Sequence, residues 1–400
     1  MPGHAESQRL LSYPFVTLCL VALFGFGNIA VFYGLYPYLE SIGISPVWSG
    51  LILALEPMTA FFLRPCISPR LGPHNALFVM RLSLALTALA LLSYPLTHSV
   101  FLLAAIRVVH GAAFVALVSA AASLLVHFIP PERSAQGFGV FTLITLLPFA
   151  LMPPLTEMLL RLVPSAAHAY AWMSLVTLPA LLLLARLGPY ARKAAALHPH
   201  DRSVSGLEQI RTALATPGII LMLGACLCTF FSSSLLFFFM KGFAQSMGLA
   251  NAGLFFTVST GATIAVRLFG SMYFDKLDKT RALIMTLLFL AVCYGSYTLV
   301  RSPLPFLLAA AGFGAAMGVA LPLLQSSLFV LADPAKRGLT TNLMLSTMDA
   351  GLFLGPYLGG TLLDAGLSHA GLFRISAGMA LVACLFVRLR RIPNAPVSQP

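Results

Sequence analysis

The sequence predicts an all-α membrane protein with twelve transmembrane helices in two pseudo-symmetric six-helix halves. Three observations carry that prediction. The 400-residue chain is 59% hydrophobic and only 9% charged, with a mean hydropathy of +0.91, whereas a soluble domain carries about 25% charged residues. Apolar runs near the ~20 residues that cross a bilayer recur twelve times. Short segments repeat at a nearly constant offset: FLLAA at Phe101–Ala105 and Phe306–Ala310, and LESIG at Leu39–Gly43 against AQSMG at Ala244–Gly248, both at 205. SPRLGP at Ser68–Pro73 aligns with FDKLDK at Phe274–Lys279 at 206.

The expected spans are 14–39, 46–64, 74–95, 99–129, 135–160, 166–187, 217–240, 251–273, 281–300, 303–331, 338–362 and 371–389. The first is longer than a signal-peptide core and runs into further spans, so it reads as a helix rather than a cleaved leader. Proline and glycine punctuate the gaps, as at Ser45-Pro46, Gly72-Pro73, Pro130-Pro131, Thr216-Pro217 and Asp333-Pro334. The long polar segment after Gly188 divides the chain: 1–188 is an N-terminal half, 189–216 a cytoplasmic linker, and 217–400 a C-terminal half. Within the linker, Val204 to Ala215 reads as a short amphipathic surface helix.

Charge sets the orientation. With the N-terminus inside, 17 of the 24 Lys and Arg residues fall in cytoplasmic segments and four in outer ones. Arg81, Arg107 and Arg267 lie within spans. Both termini are therefore expected in the cytoplasm. The net charge of +12 is explained by these basic loops, so no nucleic-acid partner is called for. The six cysteines form no CxxC pair, so no disulfide framework and no metal site are expected. HExxH, a nucleophile elbow and a phosphate loop are missing from the sequence, which argues against an enzyme and gives no cofactor.

Several signatures then resemble the major facilitator superfamily (MFS) over essentially the whole length. The fourth span reads L-x-x-x-R-x-x-x-G at Leu103, Arg107 and Gly111, with His110 where the family often has glutamine. PPERSAQG follows it, similar to the family's entry into helix five. RLFGSMYFDKLDKTR resembles the family's cytoplasmic loop motif, with Arg267, Asp275, Lys276 and Arg281 as latch residues. The first copy keeps Arg70 and Gly72 but has Pro69 in place of the usual aspartate, so the latch rests on the second half. The glycine-rich motif that proton-coupled exporters carry in helix five stands here in helix eleven, GLFLGPYLGG, with Gly351, Gly355, Pro356, Gly359 and Gly360. These residues imply close helix packing and a bend.

The resemblance implies a monomeric secondary transporter, most like small drug, sugar or metabolite exporters, in a bacterial-type inner membrane surrounded by lipid. Counting ~1.5 Å per residue, Arg107, Glu56, Asp349 and Asn28 are expected near one layer. An arginine cannot release a proton, but it can hold a carboxylate ionised or bind an anionic substrate group. Displacement of that arginine by substrate would let Glu56 or Asp349 take up a proton. His110 shares the face of Arg107 as a candidate relay. Tyr33, Tyr36 and Phe237 are candidate aromatic cavity walls, and Asn28, Gln325 and Asn342 candidate polar contacts. The expected activity is proton-coupled export of a small organic molecule by alternating access. A carrier of small organic anions with Arg107 as clamp is the alternative, and a non-transporting sensor on the same fold is a third reading.

Overall fold

The structure, a computed structural model, describes residues 10–130, 133–197, 211, 214–249, 251–274, 277–333 and 337–389. Fifteen α-helices suffice to follow it. They are α1 Tyr13–Ala30, α2 Leu35–Ser41, α3 Pro46–Ile67, α4 Ala76–Ser93, α5 Val100–Phe128, α6 Ser134–Leu159, α7 Ala166–Met173, α8 Thr177–Arg186 and α9 Gly188–Leu197. The rest are α10 Pro217–Ser246, α11 Gly253–Phe274, α12 Lys279–Ser296, α13 Pro303–Leu331, α14 Arg337–Asp364 and α15 His369–Arg388. Single turns of 3-10 helix join α1 to α2 and α7 to α8, so each pair forms one span.

Among the described residues, eleven helices are long and apolar enough to cross a membrane. The helix α14 has the length, at 28 residues or ~42 Å, but it is diluted by Thr340, Thr341, Asn342, Ser346, Thr347 and Asp349. Helices dominate because lipid offers backbone amides no partners. Large apolar side chains such as Phe78, Phe101, Phe269 and Val292 point outward, as a lipid-facing surface requires.

Helix ends follow local chemistry. Proline stands at or next to the first position of α10 and α13, where its missing N–H costs no hydrogen bond. The α2 helix stops at Gly43, whose φ of 81° is left-handed. There Ile44 N–H donates to Leu39 O at 3.0 Å and Gly43 N–H to Glu40 O at 3.0 Å. The α10 helix stops identically 205 residues later: Gly248 has φ 69°, Leu249 N–H donates to Ala244 O at 3.0 Å, and Gly248 N–H to Gln245 O at 2.9 Å. This is the glycine helix stop, and it falls in the repeated LESIG and AQSMG segments.

Helix lengths repeat as well. The helices α3 and α11 both have 22 residues, α4 and α12 both 18, and α5 and α13 both 29. The chain forms two compact units, one of residues 1–32 and 62–203, the other of residues 33–61 and 204–400. In the first, α1 packs on α6 and α8, and α4 on α5 and α8. In the second, α10 packs on α14 and α15, and α12 on α13 and α15. The segment Tyr33–Phe61, the turn of the first helical hairpin with the helix ends beside it, clusters with the C-terminal helices.

The polar segment after Leu187 begins as a helix. Gly188–Leu197 packs on α5 and α8, and Ala191 joins the core that holds Leu184 and Leu187. Its ARKAAAL sequence is rich in strong helix formers. Most of the expected surface helix, Val204 to Ala215, lies outside the described residues.

Candidate functional site

The first unit buries a charge among rings. Arg107 on α5 is 1% exposed, and its Cζ sits 4.7 Å from the Phe32 ring centre. The Phe32 ring also meets His110 at 5.2 Å, Tyr170 at 4.8 Å and Tyr94 at 5.4 Å. A desolvated cation over an aromatic face is stabilised by ~2 kcal/mol. Arg107 and His110 share a face because they stand three apart on one helix. His110 and Asn28 are fully buried, and neither His110 ring nitrogen nor either Asn28 amide atom has a hydrogen-bond partner among the described residues.

The second unit holds the two carboxylates. Glu56 on α3 is 8% exposed and Asp349 on α14 is 7% exposed. The register of these helices follows from two contacts. A Cβ built on Gly50 would lie 2.8 Å from Gly360 Cα, and the rings of Phe61 and Phe353 are 5.7 Å apart. The antiparallel backbone contact of Gly50 with Gly360 puts Glu56 near Leu354, so Asp349 lies about five residues, or ~7.5 Å, further along the axis.

The glycines of α14 make close approaches. A Cβ on Gly351 would lie 2.8 Å from Leu227 O and from Phe231 N on α10. On Gly359 it would meet Phe239 Cε2 at 2.5 Å and Leu235 Cδ2 at 2.7 Å. Gly355 faces Phe231 O and the Ser234 hydroxyl, and Gly360 faces Pro46 O and Gly50. One helix thus presents small residues to two neighbours, α10 and α3, and Pro356 lies inside it.

Around Tyr33–Phe61 the same unit gathers aromatic groups. Lys241 Nζ is 5.1 Å from the Tyr33 ring centre, and Phe256 packs on that ring at 5.3 Å. Tyr36 packs on Phe239 at 4.8 Å and faces His369 at 6.1 Å. Phe237 packs on Phe256 at 5.5 Å. Lys241 is buried rather than at an open helix end.

Gln325 and Asn342 are exposed. Gln325 lines a cavity of about 400 Å³ between α13 and α14, with Ser326, Phe329, Arg337, Thr340 and Thr341 among its walls.

Of the latch residues, Asp275 and Lys276 lie outside the described residues. Arg281 is exposed, its N–H donating to Asp278 Oδ1 at 2.9 Å and its Nε lying 3.8 Å from Asp278 Oδ2. The Arg267 Nε is buried without a hydrogen-bond partner among the described residues. Arg70 donates to Cys66 O, and Gly72 N–H to Asn75 Oδ1 at 3.0 Å.

Sequence reasoning missed the polar ties that hold the second unit. Ser232 donates to Ser376 O at 3.1 Å, Ser234 to Gly351 O at 3.2 Å, and Thr263 to Gly314 O at 2.7 Å. The SSS run of α10 beside the glycines of α14 was the available signal, since small and hydroxylated residues mark helix contacts in membranes.

Helix pairs repeated in two units, with charged groups buried in their spans, define a multi-pass membrane transporter. The Major Facilitator Superfamily model matches residues 17–313, and the chain belongs to that family. It is a transporter, not an enzyme. Solved structures agree in fold at low identity. The nucleoside transporter NupG, as a variant, superposes with a TM-score of 0.79 at 12% identity, covering 94% of this chain and 99% of that one. The xylose transporter XylE from E. coli, in an inward-open conformation, gives 0.75 at 14% identity and covers 98% of both chains. A bacterial homolog of the human lysosomal transporter Spinster, inward-facing and occupied, gives 0.71 at 14% identity, covering 94% of this chain and 96% of that one. A search of curated protein sequences returns no match.

Proposed function

We propose that this protein moves a small organic molecule across a bacterial-type inner membrane in exchange for protons, most readily outward, as a monomer surrounded by lipid with both termini in the cytoplasm. The observation that carries the reading is the burial of Glu56 and Asp349 on two helices in contact through Gly50 and Gly360. An ionised carboxylate in a span is costly, so such groups mark proton or ion pathways. Protonation removes the charge and the cost, which gives the two states of a carrier different proton affinities.

In this reading the Tyr33–Phe61 hairpin is the outer gate. Its contacts with α10 and α14 part and re-form in the cycle, while residues 1–188 and 217–400 move as the two halves on either side of the linker. Arg107, His110 and Asn28 form the polar part of the first half's substrate path. Arg107 supplies a fixed positive charge, and His110 is the neighbouring group that can exchange a proton. Tyr33, Tyr36 and Phe237 line the aromatic side of the path. Arg70, Gly72, Arg267, Asp275, Lys276 and Arg281 close the cytoplasmic side.

The test is reconstitution in vesicles with an internal pH dye. Nucleosides, pentoses, short peptides and aryl carboxylates are added in turn under an imposed pH gradient. The reading expects one class to collapse the gradient through the wild type and not through Glu56→Gln or Asp349→Asn. Substrate flux that moves no protons in the wild type refutes it and leaves a uniporter.

A further inference from the structure

We infer that the cavity between the ends of α13 and α14 is a capture site for an amphiphilic organic anion, a carboxylate or phosphate on an aryl or alkyl body. The inference deepens the transport reading and rests on it, naming the class of cargo that loads at this end of the C-terminal unit. The cavity measures about 400 Å³, within the ~300–1,000 Å³ typical of small-ligand sites.

Its lining has two characters. Pro322, Leu328, Phe329, Met344 and Leu345 supply an apolar wall. Among the described residues that line it, Arg337 is the charged one and no carboxylate stands with it. The guanidinium lies over a ring, its Cζ 4.0 Å from the Phe329 ring centre. Its Nε is buried without a hydrogen-bond partner among the described residues. A guanidinium that borders a cavity with an unpartnered N–H can serve an oxyanion, since its planar fork matches carboxylate and phosphate with paired hydrogen bonds.

The hydroxyl groups nearby have other uses. Thr341 Oγ1 donates to Arg337 O at 2.9 Å, and Ser326 Oγ donates to Leu323 O at 3.2 Å. Their protons are committed to backbone carbonyls, whereas the Arg337 guanidinium and the amide of exposed Gln325 are donors at the cavity wall. A site with a fixed cation, one amide and an apolar wall suits an anion with an apolar body better than a polyol, which needs many acceptors and donors, or a cation, which Arg337 repels.

This also separates two arginines. The Arg107 guanidinium is packed into the Phe32, Tyr94 and Tyr170 rings, whereas Arg337 borders a cavity large enough for a ligand. The anion clamp is assigned to Arg337.

The experiment uses the purified full-length protein in nanodiscs of phosphatidylcholine without a pH gradient. Binding of 4-phenylbutyrate and of its uncharged amide is measured by calorimetry. The carboxylate is expected to bind at least ~10-fold more tightly than the amide. Arg337→Gln should remove that preference, Arg337→Lys should retain part of it, and Gln325→Leu should weaken carboxylate binding with Arg337 intact. Equal binding of acid and amide, or an unchanged preference in Arg337→Gln with an unchanged melting temperature, overturns the assignment. A phosphatidylglycerol nanodisc arm separates sources: Arg337-dependent retention of that lipid without carboxylate binding overturns the cargo assignment in favour of a lipid headgroup site. Because binding is read without a gradient, failure of proton coupling in Glu56→Gln leaves this result standing, and failure here leaves proton coupling standing.

Discussion

Gly50→Ala should open the outer gate without unfolding the protein. The added Cβ would lie 2.5 Å from Pro356 O, 2.8 Å from Gly360 Cα and 3.1 Å from Gly360 N. Non-bonded carbon contacts settle at ~3.5–4.0 Å, so α3 and α14 must part by roughly 1 Å. All three obstacles are backbone atoms, and no rotamer change relieves them. Overpacking of this kind costs ~1–3 kcal/mol. If the contact exists in one state of the cycle and not in the other, the whole cost falls on the closed state. The ratio of open to closed then rises by ~5–150-fold. Leu53, one turn along the same face and fully buried, is the reporter. Cys66 is the one exposed native cysteine and is replaced by serine, while the other five are buried. Labelling of Leu53→Cys by a membrane-impermeant maleimide from outside should speed up in the Gly50→Ala background, with little change in melting temperature. Unchanged labelling together with a lower melting temperature would mean that the α3–α14 contact is permanent, and the gate assignment fails.

Other substitutions probe the fold and the coupling. Gly351→Ala meets Leu227 O and Phe231 N within the α10–α14 contact, so it should lower thermal stability by ~1–3 kcal/mol without the labelling change of Gly50→Ala. Thr263→Val removes the 2.7 Å bond to Gly314 O and should cost only ~0.6–1 kcal/mol in melting experiments. Gly314→Ala should be far worse, because its Cβ would sit 2.5 Å from Ser259 C and 2.7 Å from Ser259 Cα; equal effects of the two would refute the packing account. Arg107→Lys keeps the charge but not the broad guanidinium over the Phe32 ring, so stability in melting experiments should fall by ~1 kcal/mol. Arg107→Met should in addition lose pH-linked substrate binding, and equal pH dependence in both variants would leave Arg107 with a packing role alone.

What the sequence discloses about this molecule depends on which force acts. The spans are legible because lipid forces every backbone amide into a helix and every helix to a minimum length. The repeat is legible where it has a backbone cause, as at Gly43 and Gly248, where a left-handed residue is needed to end a helix. Depth is less legible. Residue counting sets Glu56 and Asp349 each from its own helix end, whereas register is set by pairwise close approach, as where Gly50 meets Gly360. Partners are least legible. The cost of a charge in a span says that Arg107 needs company, yet cost alone cannot choose between a carboxylate, a substrate and an aromatic ring. Phe32, Tyr94 and Tyr170 come from three different helices, and nothing in their spacing announces that they meet. Arg337 is the converse case. At a helix start beside a loop it reads as an ordinary cytoplasmic charge, and only the cavity that it borders and the ring beneath it set it apart. The energetic price of a buried charge therefore finds residues that need an explanation, while the space around a charge identifies those with room for a ligand.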